Sequence, residues 1–184
     1  MPPTTRLATP ADATAIAQVR VMAWRTTYKG MIPAAYLDAM KVEDSAALWT
    51  RVLNAAPNRT NTFVAEADGR IVGFSSGLML AEPKLGFDAE LSAVYLEPEY
   101  QRQGLGRRLV ARVAAAQRSH GATGLLVWVI AGNKAARTFY ETLGAELLLE
   151  QPFNWDGMDL VEAGYGWRDL PALVGSGGEP ALLH

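Results

Sequence analysis

The stretch AVYLEPEYQRQGLGRRL, residues 93–109, decides the fold and the first functional inference. Its pattern predicts a strand that Pro98 ends, a turn, and a helix that begins after Gly104. The start of a helix leaves backbone N–H groups without partners and carries a partial positive charge. Three arginines add full charges close by, namely Arg102, Arg107 and Arg108. The stretch therefore predicts a site for a phosphate-containing ligand, unless its glycines only ease the turn of an ordinary helix start.

The spacing of the glycines argues against two common phosphate loops. A Walker loop needs a lysine and then a Ser or Thr after its second glycine, and Gly106 is followed by two arginines. A dinucleotide fingerprint needs a third glycine where Leu109 stands. The remaining pattern, Gln-x-x-Gly-x-Gly at residues 101–106, resembles the pyrophosphate loop of the GCN5-related N-acetyltransferases (GNAT family), which bind acetyl-coenzyme A (acetyl-CoA).

The resemblance covers about residues 4–170. Residues 89–109 are similar to the fourth strand, loop and third helix of the family. Residues 125–145, LLVWVIAGNKAARTFYETLGA, are similar to the next strand, its asparagine, and the helix that ends in Phe-Tyr-x-x-Leu-Gly. Residues 24–37 resemble the first two helices of many members. The loop followed by this second helix, in this order, is the specific part of the match.

The resemblance implies where acetyl-CoA binds. Backbone groups of the fourth strand pair with the pantetheine arm, and the loop N–H groups receive the pyrophosphate. Asn133 contacts the cofactor in the family, but it also fits the N-cap of the following helix. The implied cofactor-binding residues are Val94, Leu96, Gln101, Arg102, Gln103, Gly104, Leu105, Gly106, Arg107 and Asn133.

Two residues are candidates for proton transfer. Tyr140 matches the tyrosine of the family motif; with an ordinary pKa of about 10 it stays protonated near neutrality and can donate to a leaving thiolate. It could instead pack the helix against the sheet. Glu90, at the start of the strand that pairs with the pantetheine arm, is the candidate base that removes the proton of the amine. A free carboxylate is a weak base, so this role needs burial, which raises the pKa, or a water molecule that relays the proton. It could equally be a strand-end acid in water or in a salt bridge; Asp88 and Glu97 are its lesser rivals.

Aromatic residues are the candidates for the acceptor pocket, although aromatics at such places are more often core. Two acids of the late loop, which we expect between the last two strands, could attract a cationic acceptor: Asp156 and Asp159. A backbone N–H of the cofactor strand, such as that of Leu96, could serve as oxyanion donor. The candidate substrate-binding residues are Trp24, Tyr28 and Trp128, with Phe153 and Trp155 from the late loop.

Composition narrows the class of protein. The chain has 184 residues, a net charge of -2, no cysteine and two histidines. These numbers favour one soluble domain, argue against a metal site or a cysteine nucleophile, and give no basic excess for nucleic acid. The first ten residues lack the apolar core of a signal peptide, and no apolar run could span a bilayer. We expect a cytoplasmic protein without membrane contact.

The order of predicted elements is helices, a hairpin at Asp68-Gly69, then strand–helix–strand–helix–strand and a last strand. We expect an α/β fold with a mixed, mostly antiparallel central sheet flanked by helices, as in the GNAT family. Residues 1–170 form one domain in this prediction. A loop covers 83–88, the final strands cover 145–150 and 164–170, and residues 171–184 form a flexible tail.

The resemblance implies an acetyl-CoA-dependent N-acetyltransferase without a metal. A primary amine, on a small molecule or a peptide, would attack the thioester directly in a ternary complex, since no cysteine can form an acetyl-enzyme. The alternatives are a non-catalytic CoA binder or sensor on the same fold, an interaction module with an aromatic surface, and a relative that uses a longer acyl chain or a protein N-terminus. The family also allows a homodimer.

Overall fold

The computed structural model describes residues 1–55 and 59–178, which form a seven-stranded sheet with helices on both faces. The strands are β1 Thr4–Leu7, β2 Thr60–Ala67, β3 Arg70–Lys84, β4 Phe87–Leu96, β5 Leu125–Ile130, β6 Glu146–Trp155 and β7 Met158–Trp167. The helices are α1 Ala13–Thr27, α2 Ala34–Ala39, α3 Val42–Asn54, α4 Leu105–Ser119, α5 Lys134–Thr142 and α6 Leu170–Gly175. The strand order is β1-β2-β3-β4-β5-β7-β6, and within these residues β4 and β5 are the parallel neighbours. The predicted fold class is confirmed.

Each face of the sheet has its own core. On one face α4 buries Leu105, Leu109 and Val113, which recur at helical spacing, together with residues of α5 and α6. On the other face α1 and α3 pack against Val64 of β2, among other residues. Its neighbour Phe63 belongs to the first core, as the alternation of side chains along a strand requires. The sheet thus separates an α4–α5 face from an α1–α3 face.

A β-bulge at Ser92 divides β4 into two parts. Ser76 of β3 lies opposite Ala93, whereas the next residue, Gly77, lies opposite Leu91, so that Ser92 is the extra residue. The ladder between β4 and β5 covers residues 89–91 and ends at Leu91. Because a bulge bends its strand, β4 continues along β3 as far as Leu96 but is no longer paired with β5. The facing edges of β4 and β5 therefore part in the middle of the sheet.

The bulge also reverses the direction of the side chains that follow it. Before it, Leu91 lies in the α4–α5 core, and alternation directs Glu90 to the α1–α3 face. After it, Val94 and Leu96 pack against the α4–α5 core, while Tyr95 packs on the other face. In a regular strand Tyr95 would share the face of Leu91. Glu90 and Tyr95 therefore lie on the same side of the sheet.

Three predicted boundaries were wrong. The loop expected at 83–88 is a tight turn at Leu85 and Gly86, because β3 continues to Lys84. The last two strands form a long hairpin of β6 and β7 with its turn at Asp156 and Gly157, so that Phe153 and Trp155 lie on a strand and not in a loop. The chain also has a short first strand, β1, that pairs with β2.

The flexible tail predicted from residue 171 is wrong for its first residues. They belong to α6, whose start is capped by Asp169: the carboxylate accepts the backbone N–H of Ala172 at 3.0 Å. Leu170 and Leu173 are buried, and the helix packs against α4. Residues 179–184 of the predicted tail lie outside the described residues.

Replacing Gly77 with Ala tests the packing next to the bulge. A Cβ there would lie 2.2 Å from a methyl carbon of Val113 and 3.0 Å from the carbonyl oxygen of Glu90. We expect the free energy of unfolding, measured by urea denaturation, to fall by about 2 kcal/mol. Gly175→Ala is the control, since nothing lies within 4 Å of its Cβ position. Equal stability of the two variants would contradict the close approach of α4 to β3.

Candidate active site

The turn between β4 and α4 is fixed at its start by Glu97. This buried carboxylate accepts a hydrogen bond from Arg70 at 2.7 Å, and its backbone N–H donates to Val72. The Arg70 guanidinium also lies 5.7 Å from the ring centroid of Tyr100. The side-chain amide of Gln101 donates to the carbonyl of Leu96 at 3.2 Å. These contacts define the conformation of the turn.

The next six residues, 102–107, offer free backbone donors. None of their N–H groups has an acceptor within the part of the chain that the structure describes. The first helical bond of α4 runs from Arg108 to the carbonyl of Gly104, whose φ of 79° is the left-handed conformation that glycine adopts readily. Successive free N–H groups at a helix start form an anion-binding nest. The N–H of Gln101, which the sequence analysis included, donates instead to Pro98.

Two of the three predicted arginines are available to an anion. Arg102 and Arg107 are exposed, and neither makes a hydrogen bond or ion pair with the described residues. Arg108 instead donates to the carbonyl of Pro3 at 3.1 Å and so holds the N-terminal segment. The nest therefore has two cationic side chains beside it.

Strand β4 lies directly beside this nest. Val94 and Leu96 pack their side chains against the core on the α4–α5 face. Because the ladder with β5 ends at Leu91, the β5-facing edge of β4 is unpaired along these two residues. Gly106 allows close packing here, since a Cβ would lie 3.3 Å from the ring of Phe139 and 3.4 Å from Leu96. The backbone edge and the anion nest are thus continuous.

Asn133 connects β5 to α5. Its side-chain oxygen accepts the backbone N–H of Ala136 at 3.2 Å, which makes it the N-cap of α5. The residue is buried just beyond the end of β5. The capping role is present in the structure, and the cofactor contact stays a prediction.

Tyr140 lies on α5 with only 7% of its surface exposed. Its ring packs edge-on against Trp167, with centroids 5.7 Å apart. Its hydroxyl makes no hydrogen bond with the described residues, yet the oxygen is not fully enclosed by the protein. Burial raises the pKa of Tyr140, and the nearby Tyr95 phenol raises it further. The hydroxyl is therefore protonated at neutral pH and is free to donate.

Glu90 is half-buried between Leu78 of β3 and Leu126 of β5. Its carboxylate has neither a hydrogen bond nor an ion pair within the described residues. Burial raises its pKa; Lys84 opposes the rise, and Glu162 of β7 adds to it. A carboxylate with a raised pKa is a stronger base.

Both rivals of Glu90 are engaged in structural contacts. Glu97 pairs with Arg70, as described above. Asp88 accepts the backbone N–H groups of Thr123 and Gly124 at 3.0 and 3.1 Å. Although burial opposes the shift, these hydrogen bonds hold the pKa of Asp88 below its usual value. Glu90 is therefore the acid among the three with an unengaged carboxylate.

The predicted aromatic residues lie on the α1–α3 face of the sheet. Trp24 and Tyr28 are buried side by side, and the Trp24 indole N–H donates to the hydroxyl of Tyr95 at 3.0 Å. The hydroxyl of Tyr28 lies 3.3 Å from the same oxygen. Sequence reasoning missed Tyr95, because only the bulge brings it to this face. The three side chains form one hydrogen-bonded aromatic cluster.

The remaining predicted aromatics belong to β5 and β6. Trp128 of β5 is half-buried, and its ring covers Gly164 of β7. The ring of Trp155 lies 5.8 Å from that of Trp24, and its N–H donates to Tyr36. Asp156 and Asp159, proposed from the sequence to attract a cation, lie in or beside the exposed β6–β7 turn.

Two features are absent from residues 1–55 and 59–178. No group of three or more His, Asp or Glu side chains there could hold a metal ion. None of the helices there is long and apolar enough to cross a bilayer.

Solved structures share this architecture. An N-acetyltransferase of Thermoplasma acidophilum, in complex with coenzyme A, is 21% identical with a TM-score of 0.71, over 89% of this chain and 98% of its own. A ribosomal-protein-alanine N-acetyltransferase of Brucella melitensis is 25% identical with a TM-score of 0.69, over 90% and 99%. The overall fold of this chain is thus shared with these proteins.

Sequence relatives give the family. An uncharacterized N-acetyltransferase of Bacillus subtilis is 37% identical over 88% of this chain and 91% of its own length. A probable N-acetyltransferase of Mycobacterium tuberculosis is 27% identical over 90% and 94%. The sequence model described as "Acetyltransferase (GNAT) family" matches residues 20–145. The chain therefore belongs to the GNAT family and is an N-acetyltransferase.

Proposed function

We propose that this enzyme transfers the acetyl group of acetyl-CoA to a primary amine by direct attack in a ternary complex. One observation carries the proposal: the free N–H groups of residues 102–107 continue into the unpaired edge of β4, and the unengaged hydroxyl of Tyr140 lies within electrostatic range of Tyr95 on that strand. An anion nest next to a strand edge fits a ligand that combines a diphosphate with an amide-containing arm. The absence of cysteine supports direct attack, because no thiol can carry the acetyl group.

The residues of the nest hold the diphosphate in this proposal. The N–H groups of 102–107 donate to phosphate oxygens, while Arg102 and Arg107 supply charge. The edge of β4 at Val94 and Leu96 pairs with the pantetheine amides, and Asn133 adds a contact at the end of β5. When bound, acetyl-CoA supplies the activated thioester. The unpaired backbone groups fit this arm, since in a folded protein such groups need a partner.

Proton transfer involves Glu90 and Tyr140. Glu90 accepts a proton from the incoming ammonium group, directly or through water, and its raised pKa makes it a better base than an exposed glutamate. Tyr140 donates its hydroxyl proton to the departing sulfur and regains one from water. Burial keeps Tyr140 protonated until that moment.

The acceptor binds on the α1–α3 face, lined by Trp24, Tyr28 and Trp128. Relatives in the family are named for amine substrates: one is a thialysine N-epsilon-acetyltransferase of Sus scrofa, another a spermidine N(1)-acetyltransferase of Thermoplasma acidophilum. We therefore propose a small-molecule or peptide amine as acceptor. A cytoplasmic location and a homodimer are further parts of this proposal.

Replacing Tyr140 with Phe tests its role as acid. We expect kcat to fall about a hundredfold, the range for losing a general acid, while CoA affinity changes less than about threefold. Thiol release and calorimetry measure the two quantities. The control is Tyr165→Phe, a buried tyrosine 6.4 Å away whose hydroxyl already bonds Arg137 and Glu141. A Tyr140→Phe variant with normal kcat would remove this residue from the mechanism.

Replacing Gly104 with Val tests the nest. A β-branched residue resists a φ of 79°, so that the N–H groups should turn away and the Kd for CoA should rise about tenfold or more. Gly121→Val is the matched control: its φ is 96°, it lies just beyond the other end of α4, and nothing is within 4 Å of its Cβ position. Equal CoA affinity of both variants in calorimetry would argue against the nest.

Replacing Glu90 with Gln tests the base through pH. In the native enzyme kcat/KM should fall as pH drops through the raised pKa of Glu90, and the variant should be slower and lose this limb. Deprotonation of the amine affects both profiles, so their difference is the informative quantity. The raised pKa also means that the charged carboxylate destabilises the fold above that pKa, so Glu90→Gln should raise Tm at pH 7 and leave it unchanged at pH 3. Identical pH profiles would identify Glu90 as a strand-end acid only.

A further inference from the structure

Hydrogen bonding within the aromatic cluster of Trp24, Tyr28 and Tyr95 leaves one donor unused. It contains three donors, one indole N–H and two phenol O–H groups, and the indole N–H takes one position on the Tyr95 oxygen. One phenol O–H can be used in the bond between Tyr28 and Tyr95. Whichever tyrosine donates in that bond, the other O–H has no acceptor within the described residues. A cluster in which Trp24 and Tyr28 are more than nine-tenths buried thus keeps one unused donor.

Arg20 places a positive charge at the same cluster. Its guanidinium carbon lies 4.7 Å from the centroid of the Trp24 ring, one helical turn further along α1. The guanidinium makes no hydrogen bond or ion pair with any residue of 1–55 or 59–178. Burial raises the pKa of Tyr28 and of Tyr95, and Arg20 opposes both shifts, which means that its charge acts on these phenols. Such a half-buried arginine without a carboxylate partner is available for an anionic oxygen.

The position of the cluster relates it to the reacting groups. Tyr95 influences the pKa of Tyr140, so the cluster lies within electrostatic range of the proposed acid. On the same face of the sheet Glu162 adds to the rise in the pKa of Glu90, and neither carboxylate pairs with Arg20. This face therefore presents an acidic region, suited to an ammonium group, and a separate region of positive charge and O–H donors.

We propose that Arg20, with the spare hydroxyl donor of Tyr28 and Tyr95, binds an anionic oxygen group of the acceptor, so that the preferred acceptor is an amine that also carries a carboxylate. The proposal rests on the proposed acetyl transfer and names its substrate class. Amino acids have the required pair of groups. Simple alkylamines and polyamines have only the ammonium group and leave Arg20 and the hydroxyl without a partner, which disfavours them.

Matched acceptors test the substrate class. Thiol release from acetyl-CoA is measured with glycine, β-alanine, lysine, methionine and glutamate, each beside its amide at the α-carboxylate (for β-alanine, at its only carboxylate). At least one acid should exceed its amide in kcat/KM by tenfold or more. Arg20→Gln should lower kcat/KM for that acid by about ten- to a hundredfold, the range for a hydrogen bond to a charged group, and change the value for its amide less than threefold. Arg20→Lys keeps the charge and should retain part of the preference. Arg51→Gln, an exposed charge on α3, is the control.

Each outcome decides the question. Equal turnover of acids and amides by the native enzyme, or equal losses for both with Arg20→Gln, overturns the carboxylate site while acetyl transfer stands. Absence of thiol release with every amine contradicts the proposed function. In that case calorimetric binding of the same acids and amides to the CoA-loaded protein still tests Arg20: selective binding of acids that Arg20→Gln abolishes supports the site, and its absence overturns it.

Discussion

The bulge at Ser92 is the constraint on which this site depends. A regular β4 would continue to pair with β5 beyond Leu91 and satisfy more of the backbone groups at the centre of the sheet. The extra residue ends that ladder at Leu91 and leaves two facing strand edges with unpaired groups. Unpaired backbone groups inside a sheet are unfavourable unless water or a ligand satisfies them. The fold therefore contains a defect whose natural complement is an extended chain with amide groups.

The polar groups around this defect are incompletely satisfied in a consistent way. The N–H groups of residues 102–107, the hydroxyl of Tyr140 and one O–H of the aromatic cluster are donors without acceptors. Glu90 is the unengaged acceptor in the same region. Two other carboxylates of the same region are engaged: Glu97 bonds Arg70, and Asp88 bonds Thr123 and Gly124. These contacts separate the two structural carboxylates from the unengaged groups around the defect.

Local signals in the sequence predicted much of this structure. Pro98, Gly104 and the Asp68-Gly69 turn act through their own backbone preferences, and Asn133 caps the helix that follows it. Long-range features were not readable. The bulge depends on the register of β4 against β3, so the face of Tyr95 could not be derived from alternation. The hairpin of β6 and β7 lies at the sheet edge, where β6 exposes both apolar and polar residues and shows no clear period.

The two proposed proton-transfer groups approach β4 from different sides. Tyr140 extends from the α4–α5 core, whereas Glu90 faces the α1–α3 side. In the proposed direct transfer the amine loses a proton and the leaving sulfur gains one, so a base and an acid on different sides of the sheet can serve the two steps. Burial raises the pKa of both groups, and this favours the neutral phenol as donor and strengthens the carboxylate as base. In the proposed mechanism both groups act on one carbon atom where β4 and β5 part, while the pairing of β4 with β3 continues.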